Sequence, residues 1–224
     1  MESNSQYARK DYWDERFKTE ENFEWLSGLK DFQHILQPII PFDAKIAHIG
    51  CGSSQVSMQL YELGYHNITN IDYSEVLISN CKQNYPHMKW ITDDITSLEN
   101  LEDQEFDIVF EKATIEAILV NEKSAWEPSD SALRSLESIF SSICRILKPG
   151  GLFISVSFTQ PHFRIPALLR EKNWRISKMF EFGEHFHYFV YVCQRKNVEK
   201  AKEEEESELA EKYRHIAKSW LRDL

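Results

Sequence analysis

The chain reads as an α/β protein: a Rossmann-like seven-strand sheet, mostly parallel with an antiparallel edge strand, and helices on both faces. Three observations predict it. From Lys45 onward, short runs rich in Ile, Val and Phe alternate with longer amphipathic runs, the pattern of βα units around a parallel sheet. The stretch KIAHIGCGSSQVSMQLYELGYHNITNID, Lys45 to Asp72, joins a strand to a helix through a glycine turn and ends a second strand on an acid. The last two strand-like runs have no helical signal between them, which predicts an antiparallel hairpin at the sheet edge.

In chain order, residues 1–40 carry DYWDERF and FEWLSGLKDFQHIL, too apolar for a disordered arm. They are expected to form a helical lid over the ligand end of the sheet. Residues 41–197 hold the sheet, with strands expected at 45–49, 67–71, 88–91, 106–110, 152–158, 174–182 and 186–194. The longest helix is expected from Ser129 to Leu147, because Leu133, Leu136, Ile139, Phe140, Ile143 and Leu147 recur at three-four spacing. It is expected to stop at Pro149-Gly150-Gly151. Residues 198–224 read as a charged helix whose Leu209, Tyr213, Ile216 and Trp220 form a stripe that docks on the domain or, alternatively, binds a partner.

Length and composition suit one catalytic unit with a sizeable core: 224 residues, 42% hydrophobic and 13% aromatic. No apolar run is long enough to span a membrane, and the first residues lack a secretory or transit signature, so a soluble cytoplasmic monomer is expected. Cys51, Cys81, Cys144 and Cys193 form no C-x-x-C pair, so neither zinc nor a disulfide framework is implied. A net charge of −10 argues against nucleic acid, whose affinity rests on cationic neutralisation of phosphates, and favours a basic partner.

Gly50 and Gly52 follow the first strand and open a helix, where glycine permits a tight turn and close approach of a ligand. Asp72 ends the next strand, where an acid accepts hydrogen bonds from both hydroxyls of a ribose. Together they point to an adenosine-type ligand. In a G-x-G-x-x-G turn the third glycine lets the helix present its N-terminus to a pyrophosphate; here Gln55 takes that place. The turn therefore favours S-adenosylmethionine, which has no pyrophosphate, over a dinucleotide. Asp93 and Asp94 follow the third strand where the next loop meets an adenine, though either is equally a helix N-cap. Trp13 and Trp25 are candidate aromatic partners for a sulfonium.

The segments DYWDERF, FEWL, IGCGSS, NIDYS, WITDDI, FEKATIEAIL, LKPGG and PHFR, in this order from about Tyr7 to Arg195, resemble the elongation factor 1-alpha lysine methyltransferase family. Its members are small seven-strand (class I) S-adenosylmethionine-dependent methyltransferases. The resemblance implies cofactor contacts at Trp13, Phe17, Trp25, Gly50, Gly52, Asp72, Tyr73, Asp94, Ile95 and Lys112, and elongation factor 1-alpha as the protein substrate. Three positions depart from the family pattern: Phe17 stands for a tyrosine, Ser53 for an asparagine and Ala113 for a glycine.

Methyl transfer from a sulfonium needs alignment more than acid–base machinery, so no triad is expected and no catalytic base is assigned. Glu111, Glu116 and Tyr73 are candidates to steer a cationic chain or assist proton loss; Glu111 is equally an ion partner for Lys112. No Asn- or Asp-Pro-Pro-Tyr clamp for a planar amine follows the fourth strand, which suits an aliphatic amine. His162, His185 and His187 are expected to pack or to line the substrate mouth, and no metal is expected. The alternatives are a methyltransferase for another protein or a small amine, and a cofactor-binding module without turnover.

Overall fold

The computed structural model describes residues 4–197, 208–214 and 218–222. A 3-10 turn at Asn4–Ala8 leads into α1 (Lys10–Arg16) and α2 (Leu29–Leu36). Then come β1 (Ile46–Ile49), α3 (Val56–Glu62), β2 (Ile68–Asp72), α4 (Glu75–Asn84), β3 (Lys89–Thr92), β4 (Phe106–Lys112) and α5 (Thr114–Ile118). The chain continues through α6 (Asp130–Ile146), β5 (Leu147–Ser157), α7 (Pro161–Leu168), β6 (Trp174–Phe182), β7 (Tyr188–Arg195) and α8 (Glu208–Arg214), with a last 3-10 turn at Lys218–Leu221.

The seven strands form one sheet in the order β3-β2-β1-β4-β5-β7-β6. The first five are parallel, and β7 runs against both its neighbours. The hairpin expected at the edge is there, with the reversed strand inserted between β5 and β6. Strand order changes direction between β1 and β4, and a doubly wound sheet opens a crevice beyond the carboxyl ends of its strands at such a point.

Period-two alternation divides the core. Ala47 and Ile49 of β1 face one cluster with Leu136, Ile139 and Phe140 of α6, while Ile46 faces another with Leu29 and Phe32 of α2 and Leu60 of α3. All four residues of β1 are buried, because helices cover both faces. Each large apolar side chain withdrawn in this way contributes about 1.5–3 kcal/mol. Among the described residues no helix is long and apolar enough to cross a membrane.

Three expectations need adjustment. The helix capped by Ser129, whose side chain accepts from the Ala132 N–H, ends at Ile146 rather than at the proline. Leu147 is already extended and pairs with Phe106, so Pro149, Gly150 and Gly151 lie within β5. Gly150 takes φ +81° there, next to the register shift between β4 and β5. Second, α2 lies on the sheet, with Phe32 5.5 Å from Phe182 between ring centres; only the residues before it reach the ligand end. Third, the charged tail is described as a short helix and a 3-10 turn, packed on α7 and β6, with Trp220 buried. Ile216 and residues 198–207 lie outside the described residues.

Candidate active site

A cavity of about 390 Å³ opens at the carboxyl ends of β1, β2 and β4, between the N-terminal segment and α5. That volume is within the roughly 300–1,000 Å³ of small-molecule sites. All ten residues singled out from the sequence line it: Trp13, Phe17 and Trp25 from the N-terminal segment; Gly50 and Gly52 from the turn; Asp72 and Tyr73 after β2; Asp94 and Ile95 after β3; and Lys112 at the end of β4.

The turn takes φ +58° at Gly50 and +53° at Gly52, left-handed values that favour glycine. At Gly50 a side chain would also overlap Thr114, whose hydroxyl donates to the Gly50 carbonyl at 3.1 Å. At Gly52 the space is open. Asp72 is buried, and its carboxylate joins the turn to α4 by accepting from the Gly52 N–H and the Ser74 N–H, both at 3.0 Å. Burial pushes its pKa up to about 6, against the pull of those two donors.

Glu24 clasps the N-terminal segment onto this frame. Its carboxylate accepts from the Gln55 N–H at 2.6 Å and the Ser54 hydroxyl at 3.0 Å, and pairs with Lys112 at 2.9 Å. Lys112, with a nearly inaccessible side chain, also donates to the Trp25 carbonyl at 2.6 Å. Desolvation lowers the Lys112 pKa against the opposing effect of Glu24. The start of α3 therefore already faces a carboxylate, and a pyrophosphate there would be repelled. Above the clasp, Tyr7, Trp13 and Trp25 pack at ring distances of 5.2–6.1 Å, with the Arg16 guanidinium 4.7 Å from Phe23 and 5.1 Å from Trp25.

The acidic candidates separate by role. Glu111 is fully buried; it accepts from the Thr114 N–H at 3.0 Å and from the Ser155 hydroxyl, so it caps α5. It does not line the cavity, and the ion pair of Lys112 is with Glu24. Asp93 is equally structural, accepting from Asp94 and Asn100. Glu116 does line the cavity, and its Oε1 is held by Arg164, Ser157 and Thr159. Tyr73 stays protonated, its pKa pushed up by burial and by Asp72, Asp14 and Asp94. None of the three histidines lines the cavity: His162 stacks on Trp126, and His187 pairs with Glu181.

Sequence reasoning missed Tyr7, Glu24 and His48. The aromatic density of residues 7–25 was the only signal for Tyr7. His48 reads as a strand residue; in the structure it lines the cavity and hydrogen-bonds Ser57 at 2.7 Å. Burial, with a smaller effect of Lys112, pushes its pKa down to about 3, so it is a neutral imidazole. Two departures from the family pattern have physical consequences. Ser53 donates to Glu20 at 2.5 Å, and Ala113 adopts φ +64°, a conformation glycine takes freely.

Known proteins share this sequence pattern and fold. A profile described as a methyltransferase domain matches residues 47–155. The chain is 32% identical over 197 residues to "EEF1A lysine methyltransferase 4" of Mus musculus, covering 84% of this chain and 77% of that protein. It is 33% identical over 182 residues to "eEF1A lysine and N-terminal methyltransferase" of the same species, covering 78% of this chain and 25% of that one. Among solved structures, the N-methyltransferase NodS from Bradyrhizobium japonicum WM9, in complex with S-adenosylhomocysteine, superposes with a TM-score of 0.60 at 13% identity, covering 87% of this chain and all of that one. The fold is thus that of a class I S-adenosylmethionine-dependent methyltransferase. Within that class, the chain belongs to the elongation factor 1-alpha lysine methyltransferase family.

Three substitutions test the turn and the start of α5. Gly50→Ala, strained and overlapping Thr114, and Gly52→Ala, strained and placing a methyl group in the open cavity, should each weaken S-adenosylmethionine binding at least about tenfold, while Gly50→Ala should cost more in folding stability because only its methyl group meets protein atoms; calorimetry and thermal melts on both variants distinguish them. Ala113→Gly should raise stability by about 1 kcal/mol in urea unfolding, since relief of strain outweighs the added chain entropy.

Proposed function

We propose that this enzyme transfers the methyl group of S-adenosylmethionine to the ε-amine of a lysine in translation elongation factor 1-alpha, acting as a cytoplasmic monomer. The observation that carries the reading is the likeness, over more than four-fifths of the chain, to a relative named for that activity. A cavity closed by the chain's own N-terminal segment and four free cysteines suit a monomer in a reducing compartment.

When bound, S-adenosylmethionine supplies an electrophilic methyl group on a sulfonium. Asp72 accepts from the ribose hydroxyls, and Gly50 and Gly52 allow the backbone to approach. Asp94 and Ile95 would hold the adenine, and the faces of Trp13 and Trp25 would favour a cation. Phe17 lines the cavity, Tyr73 would offer its protonated hydroxyl to the cofactor, and Lys112 holds Glu24 and the Trp25 carbonyl. Residues 4–28 act as the lid. At the other end, Ile118, Val120 and Phe158 line a passage for an aliphatic chain, and Glu116 is the acid beside it. Oε1 of Glu116 already accepts from three groups, while its buried Oε2 has no partner among the described residues and is the atom that would meet an incoming amine. Holding a lysine neutral at pH 7 costs about 4–5 kcal/mol, and a dry, apolar passage lowers that cost by penalising the ammonium.

Incubation of the purified chain with tritiated cofactor and a cell lysate should label one band of elongation-factor mass, lost when that factor is depleted. Label in other species, or in none, would overturn the reading. Asp72→Ala should weaken cofactor binding at least about tenfold. For the parent, the ribose prefers ionised Asp72, so affinity should rise from pH 5 to 7 as the carboxyl titrates near 6 and then level off. Binding near pH 6 should release protons, and calorimetry in buffers of different ionisation enthalpy should detect them.

A further inference from the structure

We propose that the segment between α5 and α6, residues 119–129, forms with the start of α7 an aromatic ledge on which the protein substrate docks, and that the C-terminal segment braces it. The inference rests on the proposed function, because only a folded substrate needs a docking surface beyond the cavity. Val120, at the beginning of this segment, and Phe158, just before α7, both line the cavity. Further along these two stretches Trp126 meets His162 and Phe163, with ring centres 5.7 Å and 4.8 Å apart. Trp126 is 55% exposed and Phe158 50%. Large aromatics left in water beside a site are the usual anchors of protein recognition.

The ledge is held from behind. Trp220 donates its indole N–H to the Ala125 carbonyl at 2.7 Å, Ser219 its hydroxyl to the Trp126 carbonyl, and Arg222 reaches the Pro128 carbonyl and, at 2.9 Å, Asp130. Arg170, its side chain nearly inaccessible, ties the Trp220 carbonyl to Glu137. Three loop carbonyls between 125 and 128 are thus taken by the last described residues, none of which lines the cavity. This ordering does nothing for cofactor binding; it fixes the direction in which Trp126 points.

The occupant is a basic stretch of the substrate protein around its target lysine. Residues 119–129 carry Glu122 and Glu127 against Lys123, while Asp130 is held by Arg222, on a chain of net charge −10. A guanidinium or ammonium flanking the target lysine would stack on the exposed indole face of Trp126.

The test uses the full chain and the variants Trp126→Ala and Trp126→Phe, at an exposed position where folding is not at stake. With intact elongation factor 1-alpha as substrate, Trp126→Ala should raise KM about fivefold or more, as expected for loss of an interface aromatic. The kcat should stay within about twofold, the calorimetric cofactor Kd should be unchanged, and Trp126→Phe should restore most of the loss. Ser219→Ala combined with Arg222→Ala should raise KM in the same direction without moving the cofactor Kd. An unchanged KM for Trp126→Ala, while the parent methylates the factor, overturns the ledge alone. No methylation of the factor by the parent overturns the proposed function and the ledge with it.

Discussion

The carboxylate of Asp72 is the constraint on which the cavity depends. It ties the glycine turn after β1 to the start of α4 through two backbone N–H groups, so the two adjacent strand ends that form the crevice cannot move apart independently. Both donors satisfy it only in part, and its pKa of about 6 against an ordinary 3.8 shows that burial wins. A shift of that size corresponds to about 3 kcal/mol of cost for holding the group ionised at neutral pH. The sign is that of a destabilising group: its contribution to folding is best at low pH and worsens as pH rises through 6. A fold keeps such a cost where the next donors to arrive belong to a ligand.

The same logic explains the N-terminal segment. A helix start beside a glycine turn attracts anions, and in this chain Glu24 takes that position. One carboxylate thereby does two things: it anchors the covering segment through Gln55, Ser54 and Lys112, and it leaves no room for a pyrophosphate. The distinction between this turn and a dinucleotide-binding one, read in the sequence from the absent third glycine at Gln55, is enforced in the structure by an acid 31 residues upstream.

How much was legible follows from how local each signal is. Gly50, Gly52 and Asp72 are legible because backbone conformation and strand ends are written in short patterns, and the strand runs from β1 to β7 are legible because both-face burial leaves unbroken apolar stretches. The 174–182 strand is legible instead from alternation, with Trp174 and Ile176 buried and Arg175 and Ser177 between and after them partly exposed. What sequence could not place depends on contacts between distant segments. Glu24 with Lys112, Glu116 with Arg164, and Trp220 with Ala125 are each joined across 48 or more positions, and no periodicity marks them. The helix stop was misjudged because Pro149 and Gly150 are as compatible with an irregular strand as with a helix end; pairing of Leu147 with Phe106 decided it.

Charge balance inside the cavity accounts for a reaction without a dedicated base. Lys112 is neutralised by Glu24 and Glu116 by Arg164, both pairs with a nearly inaccessible cation, while His48 is neutral and Tyr73 protonated. Asp94 faces water, so among the buried groups of the wall Asp72 alone has no cationic partner. The ribose hydroxyls of the cofactor would satisfy it, and the sulfonium would add positive charge to a cavity whose other buried charges are already paired. Once that charge is in place, a second cation arriving as an ammonium finds no buried carboxylate left uncompensated and must still shed its water. A neutral amine pays neither cost. A dry passage lined by Ile118, Val120 and Phe158 would favour the neutral amine, with Glu116, its charge already paired with Arg164, beside it.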